Sequence, residues 1–410
     1  MTMKGAPLLD GGVVVKQGRI AAVGPFHEIQ SEWAGSRLID LGERTLMPGL
    51  INAHCHLDYT GLRGAIPPQT SFTRWIGRIN ALKRELTEGD YLKAIADGFA
   101  ELKQWGTTTV CNLAAFPELL LKLPPPPIRT WWFPELLDIR DPAAAPDLLA
   151  AAQASMAAWR EKPESRDALL RFGLSPHAPY TATPQLYRLC AAAARDAAMP
   201  LTTHIAESAD EEAMFRQGRG ELHALLAGLG RTMIDCGHAS SFFRAVNQGL
   251  VGPGWLLTHA NELGEADFAY IARTNQPAGA ASGQWHFIHC PRSHAYFGHR
   301  PFPWQQLREL GATISLGTDS LASNDSLSLF AELQAAQKSV PGLTSETLLE
   351  TVTVQPARAL GKSGELGVIA PGARADLIAL PIKAPLNEIY DALVANTCPI
   401  EWMMLDGKLC

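Results

Sequence analysis

Met47-Pro48-Gly49-Leu50-Ile51-Asn52-Ala53-His54-Cys55-His56 is an apolar run that ends on two imidazoles one residue apart. Successive side chains of a strand point to opposite faces, so this spacing predicts that His54 and His56 share one face while Cys55 takes the other. A lone His-x-His pair is more often chance than a metal clamp. The balance changes because the chain repeats the pattern. Strand-like apolar runs ending in polar or ionisable residues recur at Cys111-Asn112, Pro134-Glu135, Ser175-Pro176-His177, His204, His259-Ala260-Asn261, His289-Cys290-Pro291 and Gly317-Thr318-Asp319. Ala/Leu-rich helical stretches lie between them, for example 91–105, 146–159, 183–198 and 327–338. Eight such units over about 300 residues predict an α/β fold, a (β/α)8 TIM-type barrel, with its site at the carboxyl ends of the strands. An open doubly wound sheet would carry a Gly-rich phosphate turn after its first strand, and none follows His56.

The two ends of the chain differ from the middle. Residues 11–24 and 36–46 are short β-branched runs broken by glycine, and residues 364–380 and 402–409 repeat that character. They predict a small β-sandwich formed from both termini, residues 1–48 with 361–410, beside a catalytic barrel of residues 49–360. The run Pro124-Pro125-Pro126-Pro127 reads as a stiff surface connection into the third strand. With 410 residues, 47% of them hydrophobic, the chain has material for a large core, which excludes a disordered or disulfide-scaffold protein. A net charge of −6 from 35 basic and 41 acidic residues disfavours nucleic acid as a partner. No apolar run approaches the roughly 18 residues of a membrane span, so no membrane partner is expected. The start of the chain shows no secretory pattern, which predicts a cytoplasmic protein. Seven cysteines, with no Cys-x-x-Cys pair, argue for buried thiols rather than disulfides or a zinc knuckle.

In a barrel the strand ends converge, and His54, His56, His204 and Asp319 become candidate ligands of one site. Three imidazoles and a carboxylate suit Zn²⁺ or Fe²⁺, and a position left open for water marks a catalytic centre. The fourth strand ends on His177 rather than on a lysine, so no carboxylated lysine is available there to bridge two ions. One metal is expected.

The motifs now in hand resemble the amidohydrolase superfamily, specifically its deaminase and chlorohydrolase branch. The resemblance rests on residues 47–56, Ser175-Pro176-His177-Ala178-Pro179-Tyr180, His204-Ile205-Ala206-Glu207, Thr258-His259, His289-Cys290-Pro291-Arg292-Ser293, Gly317-Thr318-Asp319-Ser320 and the closing Pro371-Gly372-Ala373-Arg374-Ala375-Asp376-Leu377. It implies a mononuclear centre on His54, His56, His204 and Asp319, with zinc expected ahead of iron. It also implies catalytic roles for Glu207 as proton shuttle, His259 as orienter of the water and Asp319, and a substrate-facing His177. Glu207 lies three residues beyond a ligand, which suits a group that moves protons without binding the ion. Trp75, Arg292 and Asn324 are further candidates for substrate contact. The implied substrate is a small nitrogen heterocycle, an aminopurine base or nucleoside, and the implied assembly is a homo-oligomer, a dimer.

Within the branch, residues 320–330 look most like the aminofutalosine deaminases, with adenosine-derivative deaminases next. The alternatives are a chlorohydrolase or another amidohydrolase on a heterocycle and, in another class, an inactive relative that serves as a binding or assembly protein. The intact ligand set and Glu207 speak against the last. Two departures bear on substrate: Ser293 is followed by His294 where the family often has asparagine, and no acidic residue of the adenosine-deaminase kind stands out at Lys83 to Glu85.

Overall fold

The structure, a computed structural model, describes residues 1–165, 169–275 and 283–410. Its centre is a closed ring of parallel strands taken in chain order. Leu50–His56 pairs with Thr107–Ala114, and Thr107–Ala114 with Arg129–Leu136. Arg129–Leu136 then pairs with Leu170–Phe172 and Ser175–Pro176, the two halves of the fourth strand. A bridge from Leu174 to Leu201 leads to Thr202–Ile205, and Leu256–His259, His286–His289 and Thr313–Leu316 follow in register. The chain passes through Gly317 and Thr318 into Asp319–Ser320, which pairs with the first strand at Cys55 and His56 and closes the ring. This is the (β/α)8 barrel that the strand ends predict.

The covering helices begin where short polar residues satisfy their first N–H groups. Thr87 and Asp90 form a capping box at the start of Glu88–Gln104, Thr183 caps Pro184–Asp196, and Ser328 caps Leu329–Ser339. Pro146 sits in the first turn of Ala145–Arg160, where a missing N–H costs nothing. No helix among the described residues is long and apolar enough to cross a membrane.

One irregularity of the first strand matters for the site. Its pairing slips between Asn52 and Cys55, where three residues step against two of the neighbouring strand. Ile51 and Ala53 pack inside the barrel with Cys111, Leu113, Trp131 and Phe133. Strict alternation would then turn His54 outward; the extra residue re-aims it, so both histidines face the mouth while Cys55 packs in the outer core.

Both termini build the small β region. Thr45–Pro48, Leu377–Leu380, Trp402–Leu405 and Lys408–Leu409 form an antiparallel sheet, and Gly11–Lys16 with Arg19–Pro25 forms a second, joined to the C-terminal segment through Ile20 N to Ala373 O at 2.8 Å. The strand expected over residues 36–46 is confined to its end. Residues 36–44 have no partner strand among the described residues and leave Leu38 and Ile39 exposed. Arg129, buried at the base of the third barrel strand, donates to both oxygens of Asp376 at 3.0 and 3.2 Å and locks the β region onto the barrel.

Candidate active site

His54, His56, His204, His259 and Asp319 are all buried at the carboxyl ends of strands one, five, six and eight. His56 Nε2 lies 3.3 Å from His204 Nε2, and Asp319 Oδ1 lies 3.6 Å from His54 Nε2 and 3.8 Å from His56 Nε2. Two atoms held at about 2.0–2.2 Å by one tetrahedral ion stand roughly 3.3–3.6 Å apart, and the donors form two overlapping triads near that spacing, His54–His56–Asp319 and His54–His204–His259, each with its ligand atoms within 4.8 Å of one another. The buried His54 Nε2 has no hydrogen-bond partner among the described residues, as an atom reserved for an ion should not. Burial lowers the imidazoles of His56, His204 and His177, the last two to about 3, and adjacent imidazoles reinforce the effect. Neutral rings keep the lone pair that coordination needs. Burial alone would raise the Asp319 carboxyl, but the imidazoles around it, His54 first, hold it well below the usual range.

The partners of these groups explain the local sequence. Gly317 admits only a hydrogen, because a Cβ there would sit 2.7 Å from the His54 carbonyl oxygen; the eighth strand can therefore press against the first and deliver Asp319. Asn52 spans the same junction, donating to Thr318 Oγ1 at 2.7 Å and accepting from the His54 and Thr318 amides. Thr258 lies 3.3 Å from His54 Nδ1, His204 Nδ1 lies 3.0 Å from the His177 carbonyl, and Ser293 donates to Asp319 Oδ2 at 2.6 Å. Each contact occupies the far side of a donor group and so aims its other atom at the ion position. Asp319, Ala206, His259 and Ala260 all take positive φ, between +48° and +75°. Such backbone costs about 1–3 kcal/mol per residue and gathers at functional sites.

Glu207 leaves the fifth strand beside this cluster. Its backbone is held from both sides: its N–H and that of Ala206 donate to the Glu211 carboxylate at 2.8 and 3.1 Å, and Asn261 Nδ2 donates to its carbonyl at 2.9 Å. Its buried side chain faces His259, with Oε1 3.5 Å from Nε2. Burial, then the negative charges of Asp319, Glu211 and Glu135, push the pKa of the Glu207 carboxyl well above the usual range.

The other candidates sit differently. His177 is partly open to the mouth and has Nδ1 2.5 Å from Thr181 Oγ1, which leaves Nε2 facing the cavity. Trp75 stacks on Phe72 with centroids 5.8 Å apart, meets Phe297 edge to face at 5.1 Å, and donates to the Ala322 carbonyl just after Asp319. It belongs to an aromatic wall beside the mouth. Asn324 has no capacity left for a ligand: its amide donates to Thr318 O and Glu332 Oε1, while its oxygen accepts from the Asp325 and Ser326 amides. It is a strut of the loop after Asp319. Arg292 pairs with Asp325 on the outside of that loop.

A family model for the amidohydrolase family matches residues 45–410. The chain belongs to the amidohydrolase family. It is 28% identical over 416 aligned positions to the 5-methylthioadenosine/S-adenosylhomocysteine deaminase of Syntrophobacter fumaroxidans, covering 97% of this chain and 87% of that one. A zinc-bound adenosine deaminase from Xanthomonas campestris superposes with a TM-score of 0.79 at 24% identity, covering 100% of this chain and 90% of that one. Aminofutalosine deaminase of Helicobacter pylori, in complex with methylthio-coformycin, gives 0.82 at 22% identity over 98% and 95%.

Within this amidohydrolase, several residues beside the cluster escaped the sequence reading. Ser293 lies inside a quoted motif, but its bond to Asp319 joins positions 26 residues apart. Glu211 follows Glu207 at helical spacing and reads as an ordinary first-turn carboxylate, yet it is fully buried and clamps the Glu207 backbone. Glu135 stands at a strand end, the one signal that marked it. It lies 3.9 Å from His177 Nε2 and 4.0 Å from His204 Nδ1.

Proposed function

We propose that this amidohydrolase hydrolytically deaminates an adenosine-type nucleoside, converting its exocyclic amine to a carbonyl and releasing ammonia. The observation that carries the reading is the buried Glu207 carboxyl fixed 3.5 Å from His259 at the edge of a three-histidine, one-aspartate donor set. The deaminase names of its relatives support the same substrate class.

His54, His56, His204 and Asp319 are the proposed ligands, with zinc as the ion ahead of iron. A bound divalent ion supplies Lewis acidity and brings the pKa of a water toward neutrality. The chain's own groups do the rest. His177 Nε2 faces the purine, and the wall of Phe72, Trp75 and Phe297 excludes solvent from it. Glu207 donates its proton to the ring nitrogen next to the amine-bearing carbon, which makes that carbon electrophilic. The water oxygen bonds to that carbon, its proton passing to Glu207, while His259 orients the water. Return of the proton to the exocyclic nitrogen breaks the C–N bond and expels ammonia. Asp319 takes the remaining water proton as the carbonyl forms, and exchange with solvent returns Asp319 to carboxylate and Glu207 to its acid. A dimer, as the family resemblance implies, belongs to the same proposal and is checked by light scattering.

The test is ammonia release by metal-loaded protein from adenosine, 5-methylthioadenosine, S-adenosylhomocysteine and aminofutalosine, with a chlorotriazine as the contrast. Turnover of at least one nucleoside with no chloride release from the triazine is expected. Chloride release without ammonia would overturn the deaminase reading.

A further inference from the structure

Glu135 is buried without a partner. Its side chain is 7% exposed, and Oε1 makes no hydrogen bond among the described residues. The distances to His177 Nε2 and His204 Nδ1, 3.9 and 4.0 Å, are too long for one. Asp58, at the end of the first strand, repeats the situation: Oδ2 accepts from the Ala115 amide at 2.7 Å while the buried Oδ1 has no partner among the described residues. Lys83 donates to Tyr59 OH at 2.6 Å with two of its three hydrogens left over, and the Tyr59 ring stacks on His56 with centroids 5.9 Å apart, so the ammonium stands beside the same strand end. Two acceptor atoms and a multiple donor thus surround one side of the mouth, next to His177.

Buried polar atoms in native proteins find partners, so this arrangement calls for a ligand that can both donate and accept. Hydroxyl groups do both. A second metal fits less well, because Glu135 approaches His204 from Nδ1, the nitrogen already tied to the His177 carbonyl.

We propose that Glu135, backed by Lys83 and Asp58, forms a specificity-determining subsite that accepts hydrogen bonds from the sugar hydroxyls of the nucleoside. The proposal rests on the deaminase reading above. It assigns hydroxyl recognition to a carboxylate on the third strand, in a chain that carries lysine at position 83.

The experiment compares kcat/KM for adenosine, 2′-deoxyadenosine and 3′-deoxyadenosine in the parent, Glu135→Gln and Lys83→Met proteins, with metal content measured on each sample. The parent should prefer adenosine over at least one deoxy analogue by about 10- to 100-fold, the worth of a hydrogen bond to a charged group. Glu135→Gln should bind its metal normally and lose most of that preference, chiefly through the adenosine value. Lys83→Met should lower the preference in the same direction. A parent that deaminates all three equally overturns this subsite while leaving the deaminase reading intact. Loss of metal from Glu135→Gln overturns it in favour of a ligand role, and a parent inactive on every nucleoside overturns the deaminase reading and the subsite together.

Discussion

The floor of the barrel mouth and its wall are built on different principles. The floor, His54, His56, His204, His259 and Asp319, hangs from strand ends whose directions are set by backbone pairing. The wall draws on the helix Phe72–Lys83 and the helix Pro291–Phe297, which meet through tertiary packing, Trp75 against Phe297 spanning 222 positions, and on the third-strand end, where Glu135 pairs beside Ser175 and stands 3.9 Å from His177. The floor holds chemistry that many substrates share. The proposed substrate contacts lie in the wall, where Lys83 and Glu135 stand.

Substitutions break the contrast in graded steps. Asp319→Ala or His54→Ala removes a proposed floor ligand, and activity should fall to background together with loss of bound metal, read by elemental analysis of the same samples. Full metal occupancy in either variant would strike that residue from the ligand set. Glu207→Gln keeps shape but not proton transfer, so a metal-replete variant should lose about 10²- to 10⁴-fold in single-turnover rate. A variant within a few-fold of the parent would remove the shuttle. Ser293→Ala removes the shorter of two hydroxyl contacts to Asp319 Oδ2, leaving Ser323 at 3.4 Å, and should cost about 10- to 100-fold in metal affinity or activity, measured by competition with a chelator. At the small end stands Arg292→Ala. Its partner Asp325 is largely exposed, so stability should change by under about 1 kcal/mol with turnover nearly unchanged, seen in urea melts and steady-state rates. A large loss of turnover would return Arg292 to the substrate site.

The same contrast explains what was legible beforehand. Each barrel strand ends in an ionisable or amide group, and the ring closure at Asp319–Ser320 follows from the order of those runs. His54 and His56 do share a face, but for a reason that alternation does not contain: a bulge between Asn52 and Cys55 re-aims His54. Asn324 illustrates the opposite case. Its place soon after Asp319 suggested substrate contact, whereas its amide is consumed by Thr318 and by Glu332, a carboxylate buried one helical turn into Leu329–Ser339. Ser293, Thr258 and Glu211 work through hydrogen bonds to residues distant in sequence or turned inward by packing, and neither periodicity nor spacing carries that information. Residues 36–44 depart from expectation in the other direction: Ile39 is their one β-branched residue, and no strand among the described residues pairs with them.

The most direct test of a single-ion floor is to titrate metal-stripped protein with Zn²⁺ while following ammonia release from the best nucleoside substrate. The account predicts a rate that rises linearly and stops at one ion per chain. Activity that keeps rising to two ions per chain, or that persists in the stripped protein, would contradict it.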